Sequence, residues 1–414
     1  RKENKMSLNE QASADRAHIA FFGLRNAGKS SVVNSVTSQQ LSLVSDTPGT
    51  TTDPVRKAME ILPAGPVVVI DTPGIDDSGE VGEKRVEKTL QILRQTDIAV
   101  LVIDHFIGFS SEDLNLIDQF KEKQIPFIVA MNKVDLDMES LTSDADRNTQ
   151  ESYTFPCVLV SALTGQGIED LKEKLGQMAK PLKKDRQLIT DRLKEGDLVI
   201  LVTPIDSSAP QGRLILPQVQ TIRNLLDGHC SCMVTQLPQL RSCLKALRCP
   251  PALVITDSQV FGQVKEIVPE DVPLTSFSIL FARFKGILNA AVCGAKKLKE
   301  LKDGDCLLIS EGCTHHRQCE DIGTVKLPAW IEKYTGKKLQ FRFTSGGEFP
   351  RDLSNYELIV HCGGCMLNER EMLSRMKQAE TAGVAFTNYG TLIAQINGIL
   401  DRSLEIFYDE KPNH

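Results

Sequence analysis

The chain has 414 residues, 25% of them charged, with 48 Lys and Arg against 54 Asp and Glu for a net charge of -6. That length exceeds one ordinary core and, at roughly 150 residues per domain, predicts about three domains, while the acidic balance lacks the basic footprint of a nucleic-acid binder. No run approaches the roughly 18 apolar residues that span a bilayer, and the polar residues 1–16 hold no apolar signal segment, so a cytoplasmic protein with no membrane partner is expected.

Short β-branched runs alternate with helical stretches throughout, the pattern of parallel sheets with crossover helices, which predicts α/β folding along the whole chain. After a tail over 1–16, a first domain is expected over 17–182. Its strands are predicted at 18–23, 67–71, 98–104, 127–132 and 158–161, apolar blocks that fit a sheet buried on both faces.

The first strand runs into Gly23-Leu-Arg-Asn26-Ala27-Gly28-Lys29-Ser30, followed by Ser31. This is GxxxxGK[ST] between a strand and a helix, the context the motif requires. Glycines let backbone amides curl around phosphates, Lys29 reaches the outer phosphate oxygens, and the Ser30 hydroxyl can ligate Mg²⁺. The polar loop Asp46-Thr-Pro-Gly-Thr-Thr51-Thr-Asp53 resembles switch I of G proteins, with Thr51 the best match to the magnesium-sensing threonine among three adjacent ones.

Asp71-Thr-Pro-Gly74 ends the next strand, where Asp71 can hold the metal through water and the Gly74 amide can meet the γ-phosphate. Asn132-Lys133-Val-Asp135 follows a later strand, and the Asp135 carboxylate can accept the paired N–H donors of guanine, a pair adenine lacks. Ser161-Ala162-Leu163 fits the loop whose backbone meets guanine O6. Four motifs in this order predict a GTPase binding GTP or GDP, with Lys29, Thr51 and Gly74 at the reacting phosphate. Ile75 stands where Ras-like enzymes carry a water-orienting Gln, which predicts slow hydrolysis or another group in that role, with Glu80 and Glu83 available nearby. The domain resembles the TrmE/Era branch of GTPases, and Asn26 matches the asparagine by which several of those bind K⁺, which implies K⁺-stimulated hydrolysis.

A charged stretch after residue 180 marks a boundary. A second domain is expected over 190–268, with strands at 197–203, 231–235 and 252–257, and a third over 270–414, with strands at 306–310, 339–343, 357–361 and 384–389. Both are expected to carry largely parallel sheets.

Eleven cysteines without a secretory signal argue against a disulfide framework, and only Cys157 precedes residue 229. Two loops carry the chemistry: Cys313-Thr-His315-His316 and His361-Cys362-Gly-Gly-Cys365, each directly after a predicted strand and with 45 residues between His315 and His361. Ligands gather at the carboxyl ends of parallel strands, so both loops are expected at one edge. Cys157, Cys230, Cys232, Cys243, Cys249, Cys293 and Cys306 are read as small buried hydrophobes.

The pattern Cys-x-His, about 45 residues, His-Cys-x-x-Cys resembles the iron–sulfur motif of the HydF family, the scaffold GTPases of [FeFe]-hydrogenase maturation. The stretches Leu301-Lys-Asp-Gly-Asp and Asp321-Ile-Gly-Thr-Val-Lys-Leu-Pro are similar to it too. The resemblance implies a G domain, a dimerisation domain and a cluster domain in this order, and a homodimer that works with the radical-SAM maturases HydE and HydG. It also implies delivery of a di-iron precursor to apo [FeFe]-hydrogenase. Carried over by position, Cys313, Cys362 and Cys365 would hold a [4Fe–4S] cluster. One iron is left without a cysteine, and His315, His316, Glu320 and His361 are candidates for an exchangeable fourth ligand. Cys319 would close the site, and a Cys₃His zinc site is the other reading of the same donors.

Overall fold

The computed structural model describes residues 16–38, 54–73, 80–136, 155–179, 187–204, 214–312 and 322–408, with side chains of 80–87 excepted. The chain forms two compact units, Arg1–Lys184 and Asp185–His414.

The first unit is built on six strands: β1 (Ala17–Phe22), β2 (Val55–Ile61), β3 (Gly65–Asp71), β4 (Ile98–Asp104), β5 (Phe127–Asn132) and β6 (Cys157–Leu159). Their order is β2-β3-β1-β4-β5-β6, and only β2 runs antiparallel, against β3. Strand β2 has no counterpart among the expected strands. Its sequence VRKAMEI puts Arg56, Lys57 and Glu60 on a sheet edge, where charge discourages pairing with other chains and hides the β-branched signal.

The helices are α1 (Lys29–Thr37), α2 (Glu80–Gln95), α3 (Ser111–Glu122) and α4 (Ile168–Ala179). The alternation of strand side chains separates two cores. Ile19, Phe21, Val67, Val69, Ile98 and Val100 pack with Val32, Val33 and Val36 of α1 and Leu171 and Leu175 of α4. Ala20, Phe22, Val68, Ile70, Ala99 and Leu101 pack on the other face with Ile92 and Leu93 of α2 and Leu116, Ile117 and Phe120 of α3. This doubly wound sheet gathers the β1, β3, β5 and β6 carboxyl ends along one edge, where such folds bind ligands.

The second unit holds two wholly parallel four-stranded sheets. The first has the order β10-β9-β7-β8, from β7 (Leu198–Val202), β8 (Ser231–Thr235), β9 (Leu253–Thr256) and β10 (Leu274–Ser276). The second has the order β12-β11-β13-β14, from β11 (Cys306–Glu311), β12 (Gln340–Ser345), β13 (Leu358–His361) and β14 (Ala385–Asn388). Its longer helices are α5 (Leu216–Asp227), α6 (Leu237–Ala246), α7 (Phe277–Phe284), α8 (Leu288–Lys296), α9 (Leu327–Thr335), α10 (Glu369–Thr381) and α11 (Tyr389–Ile396).

Strand β10 pairs with β9, so the first of these sheets extends past residue 268. The two sheets also share one core: Ile200, Val202 and Val254 lie in the same buried cluster as Leu307, Ile309, Leu358 and Val360, joined by Leu392 and Ile393 of α11. The outer face of β11, β13 and β14 packs on α10 through Met372 and Ala379, next to Ala282 and Ile287.

Candidate functional site

The P-loop leaves β1 at Gly23 and enters α1 at Lys29. Gly23 has φ +149°, and a Cβ there would meet Val102 O at 2.3 Å; Gly28 has φ +82°, and a Cβ would meet Asn132 Nδ2 at 2.2 Å. Neither position accepts a side chain, which explains why the turn needs glycine here. Asn26 also adopts a positive φ of 65°, the left-handed turn from which consecutive amides face inward.

Lys29 is buried and its ammonium pairs with Asp71, while Ser30 Oγ donates to the other Asp71 oxygen at 2.8 Å. Lys29, Ser30 and Asp71 are thus within one contact of each other. Thr51, Gly74 and the Glu80 and Glu83 side chains lie outside the described residues.

The base side is equally knit. Asn132 bridges two loops, its Nδ2 donating to Ala27 O at 3.0 Å and its Oδ1 accepting from Ala162 N at 3.0 Å. Ser161 Oγ donates to Asp135 Oδ1 at 2.5 Å and accepts from Thr164 N at 3.1 Å. Ser35 Oγ ties α1 to Ala162 O at 2.8 Å. Lys133, at φ 72°, stretches to Asp104 Oδ2 at 2.6 Å. Burial works against the Asp104 charge, yet the Lys133 and Phe106 N–H donors hold its carboxyl below the ordinary value. Ser31, half-buried, is the third residue of α1.

In the second unit, β11 pairs with β13 in the register Ser310 to His361. Cys362 N donates to Ser310 O at 2.9 Å, and Gly312 N donates to Cys362 Sγ at 3.0 Å. Gly364 N adds a second donor to that sulfur at 3.3 Å. Gly312 immediately precedes Cys313 in sequence; Cys313, His315, His316, Cys319 and Glu320 lie outside the described residues. Among the described residues no group of three His, Cys, Asp or Glu could hold a metal ion.

The described donors among those expected to hold an iron–sulfur group are the Cys362 and Cys365 thiols. Burial, then the neighbouring Cys365, pushes the free Cys362 thiol up to about 11. A metal must therefore displace its proton, and two backbone N–H groups aimed at the sulfur favour the thiolate that results.

His361 is fully buried, and both ring nitrogens are engaged: Nε2 lies 3.0 Å from Arg375 Nη1 and Nδ1 2.9 Å from Cys362 O. A guanidinium only donates, so Nε2 accepts and Nδ1 carries the proton donated to the carbonyl. Both ring nitrogens of His361, one of the expected fourth-ligand candidates, are therefore engaged within the protein here. Arg375 and Glu371, both with no exposed surface, pair at 2.8 Å behind it; neither was signalled by any motif.

Burial first, then Arg375, drives the imidazole down to about 3. An unfolded histidine titrates near 6.5, so below that pH the unfolded chain takes up a proton the folded site refuses. The contribution is complete above about pH 6.5 and is lost as pH falls towards 3, by about 2 kcal/mol between pH 7 and pH 5. Urea midpoints at the two pH values measure it. His361→Asn should flatten that part of the slope; an unchanged slope would assign it to other groups.

Five of the seven remaining cysteines depart from the buried reading. Cys157 and Cys230 are buried, but Cys249 and Cys293 are exposed and Cys232, Cys243 and Cys306 half-buried.

The fold and the P-loop geometry define the first unit as a P-loop GTPase domain, joined to a second α/β unit with a cysteine loop at a strand end. A family model described as a 50S ribosome-binding GTPase matches residues 18–133. The hydrogen maturase F dimerization domain matches 188–286 and the hydrogen maturase F tetramerization domain 289–406, together just over half of the chain. The chain belongs to the hydrogen maturase F family, HydF.

Among curated relatives, GTPase Der of Kosmotoga olearia is 36% identical over 177 residues, 41% of this chain and 40% of that protein. The tRNA modification GTPase MnmE of Clostridioides difficile is 34% identical over 157 residues, 38% of this chain and 33% of that protein. The chain thus spans well under two thirds of either relative. The G domain of the T. maritima FeoB iron transporter has 26% identity and a TM-score of 0.31, covering 40% of this chain and 99% of that one. No helix among the described residues is long and apolar enough to cross a membrane.

Proposed function

We propose that this protein is a GTP-hydrolysing scaffold that carries a [4Fe–4S] cluster and delivers a di-iron precursor to apo [FeFe]-hydrogenase in the cytoplasm. Cys313, Cys362 and Cys365 supply the thiolates. An exchangeable fourth ligand comes from the segment holding His315, His316 and Glu320. The observation that carries this reading is the 3.0 Å hydrogen bond from Gly312 N to Cys362 Sγ, which brings the chain one residue before Cys313 to the Cys362–Cys365 loop.

In the nucleotide site, Gly23, Ala27, Gly28, Lys29, Ser30 and Ser31 bind the phosphates, with Ser30, Thr51 and Asp71 serving Mg²⁺ and Gly74 the γ-phosphate. Asn132, Lys133, Asp135, Ser161 and Ala162 bind guanine. Asn26 holds K⁺, which stands in for an arginine finger; equal turnover in Na⁺ and K⁺ would reject this part. The sheet β10-β9-β7-β8, inside the segment matched by the dimerization model, serves dimerisation, and the sheet β12-β11-β13-β14 that follows serves cluster binding. The homodimer receives components from HydE and HydG, and the nucleotide state sets partner affinity.

Iron, sulfide and zinc analysis of anaerobically purified protein tests the reading. Roughly four iron and four sulfide per chain are expected, as for a [4Fe–4S] centre, with both lost in Cys362→Ser. One zinc without sulfide would overturn it. Protein loaded with a di-iron precursor should then activate an apo-hydrogenase.

A further inference from the structure

Resting on the iron–sulfur reading above, we propose that His361 and Lys285 are positioning residues that fix the Cys362–Cys365 loop from its buried side, His361 being no ligand. Two carbonyls of this loop and one just beyond it point at buried donors. Cys362 O accepts from His361 Nδ1 at 2.9 Å, and Gly364 O and Leu367 O both accept from the Lys285 ammonium.

In a trans peptide the N–H lies opposite the carbonyl. Drawing Cys362 O inward therefore turns the N–H group of Gly363 away from the buried donors. Together with the Gly312 and Gly364 amides already on the Cys362 sulfur, this gives the loop the donors an anionic thiolate–sulfide group needs.

The hold is rigid on both sides. Gly364 has φ +61°, and a Cβ there would meet Met372 Sδ at 2.5 Å, whereas Gly363 has open space. Behind His361, Arg375 is tied to Glu371 at 2.8 Å and to Gly346 O at 2.9 Å, so the ring cannot turn towards a metal without uncovering a buried guanidinium. Lys285 is 3% exposed and caps α7, within the segment matched by the dimerization model. A residue of one family module thus grips the cysteine loop of the other.

The test uses full-length protein reconstituted anaerobically with ferrous iron and sulfide. Its readouts are the nitrogen hyperfine spectrum of the reduced cluster and the rate of iron loss to a chelator. His361→Asn keeps an N–H donor near the Nδ1 position, and is expected to match the wild type in both. His361→Ala and Lys285→Met are expected to lose iron about 10- to 100-fold faster, the usual effect of removing a ligand's supporting partner, with unchanged helix content. Should Lys285→Met not fold, Lys285→Gln, which retains one donor, is expected to fall between it and wild type. Disappearance of a nitrogen coupling in His361→Asn would make His361 a ligand and overturn the proposal, as would wild-type iron loss in His361→Ala and the Lys285 variants. A wild-type chain that takes up no iron rejects the cluster reading itself.

Discussion

Asp135→Asn is expected to turn the nucleotide site from guanine towards xanthine. The Asp135 carboxylate is held by Ser161 Oγ at 2.5 Å, and its neighbour Asn132 is locked between Ala27 O and Ala162 N. The carboxylate is therefore presented in one orientation, suited to the N1–H and N2–H donors of guanine. An amide there offers a donor where guanine also has one, so two charge-assisted bonds of about 1.5–3 kcal/mol each are weakened or lost. GTP affinity should fall about 10²- to 10⁴-fold. Xanthine carries an oxygen at position 2, which accepts from the new amide, so XTP should bind more tightly to the variant than GTP does. Titration with fluorescent GTP and XTP measures both; undiminished GTP affinity would remove Asp135 from the base site.

The second large effect lies far from any nucleotide chemistry. Arg375→Met should destabilise the second unit by about 3–5 kcal/mol, because it strands a charge where neither partner has exposed surface. Among the described residues Glu371 Oε2 finds no hydrogen-bond partner, so Arg375 is the group that offsets its burial. The same substitution removes the donor to His361 Nε2 and Gly346 O. Since replacing a whole buried pair by apolar residues is often neutral, the double variant Glu371→Leu, Arg375→Met should recover most of the loss. Urea unfolding followed by circular dichroism gives the cycle. A single-variant loss below about 1 kcal/mol would mean that the pair is solvated in solution.

These two expectations differ in how they could be found. Asp135 announces itself: it sits in a short motif behind an apolar strand, and its chemistry is complete within one strand, turn and loop. The same holds for Gly23 to Ser31 and for Asp71. Arg375 and Glu371 read as an ordinary i,i+4 surface pair on a helix, and nothing local distinguishes them from Arg223 and Asp227, which form such an exposed pair. Lys285 likewise follows an apolar helix as an unremarked cation, and its partners Gly364 and Leu367 are 79 and 82 residues away.

The amino-acid sequence by itself determined the parallel α/β plan and the GTPase domain, because strand periodicity and backbone-cradling glycines are properties of a few consecutive residues, and its Cys/His pattern carried the resemblance to the family. Tertiary structure alone decided that two sheets of the second unit share one core, that charged β2 joins the first sheet at its edge, and that His361 faces Arg375 and its own neighbour's carbonyl. It also set which cysteines are buried. Those outcomes depend on which distant side chains exclude water together, and burial of a pair separated by many residues leaves no mark on either one's local pattern.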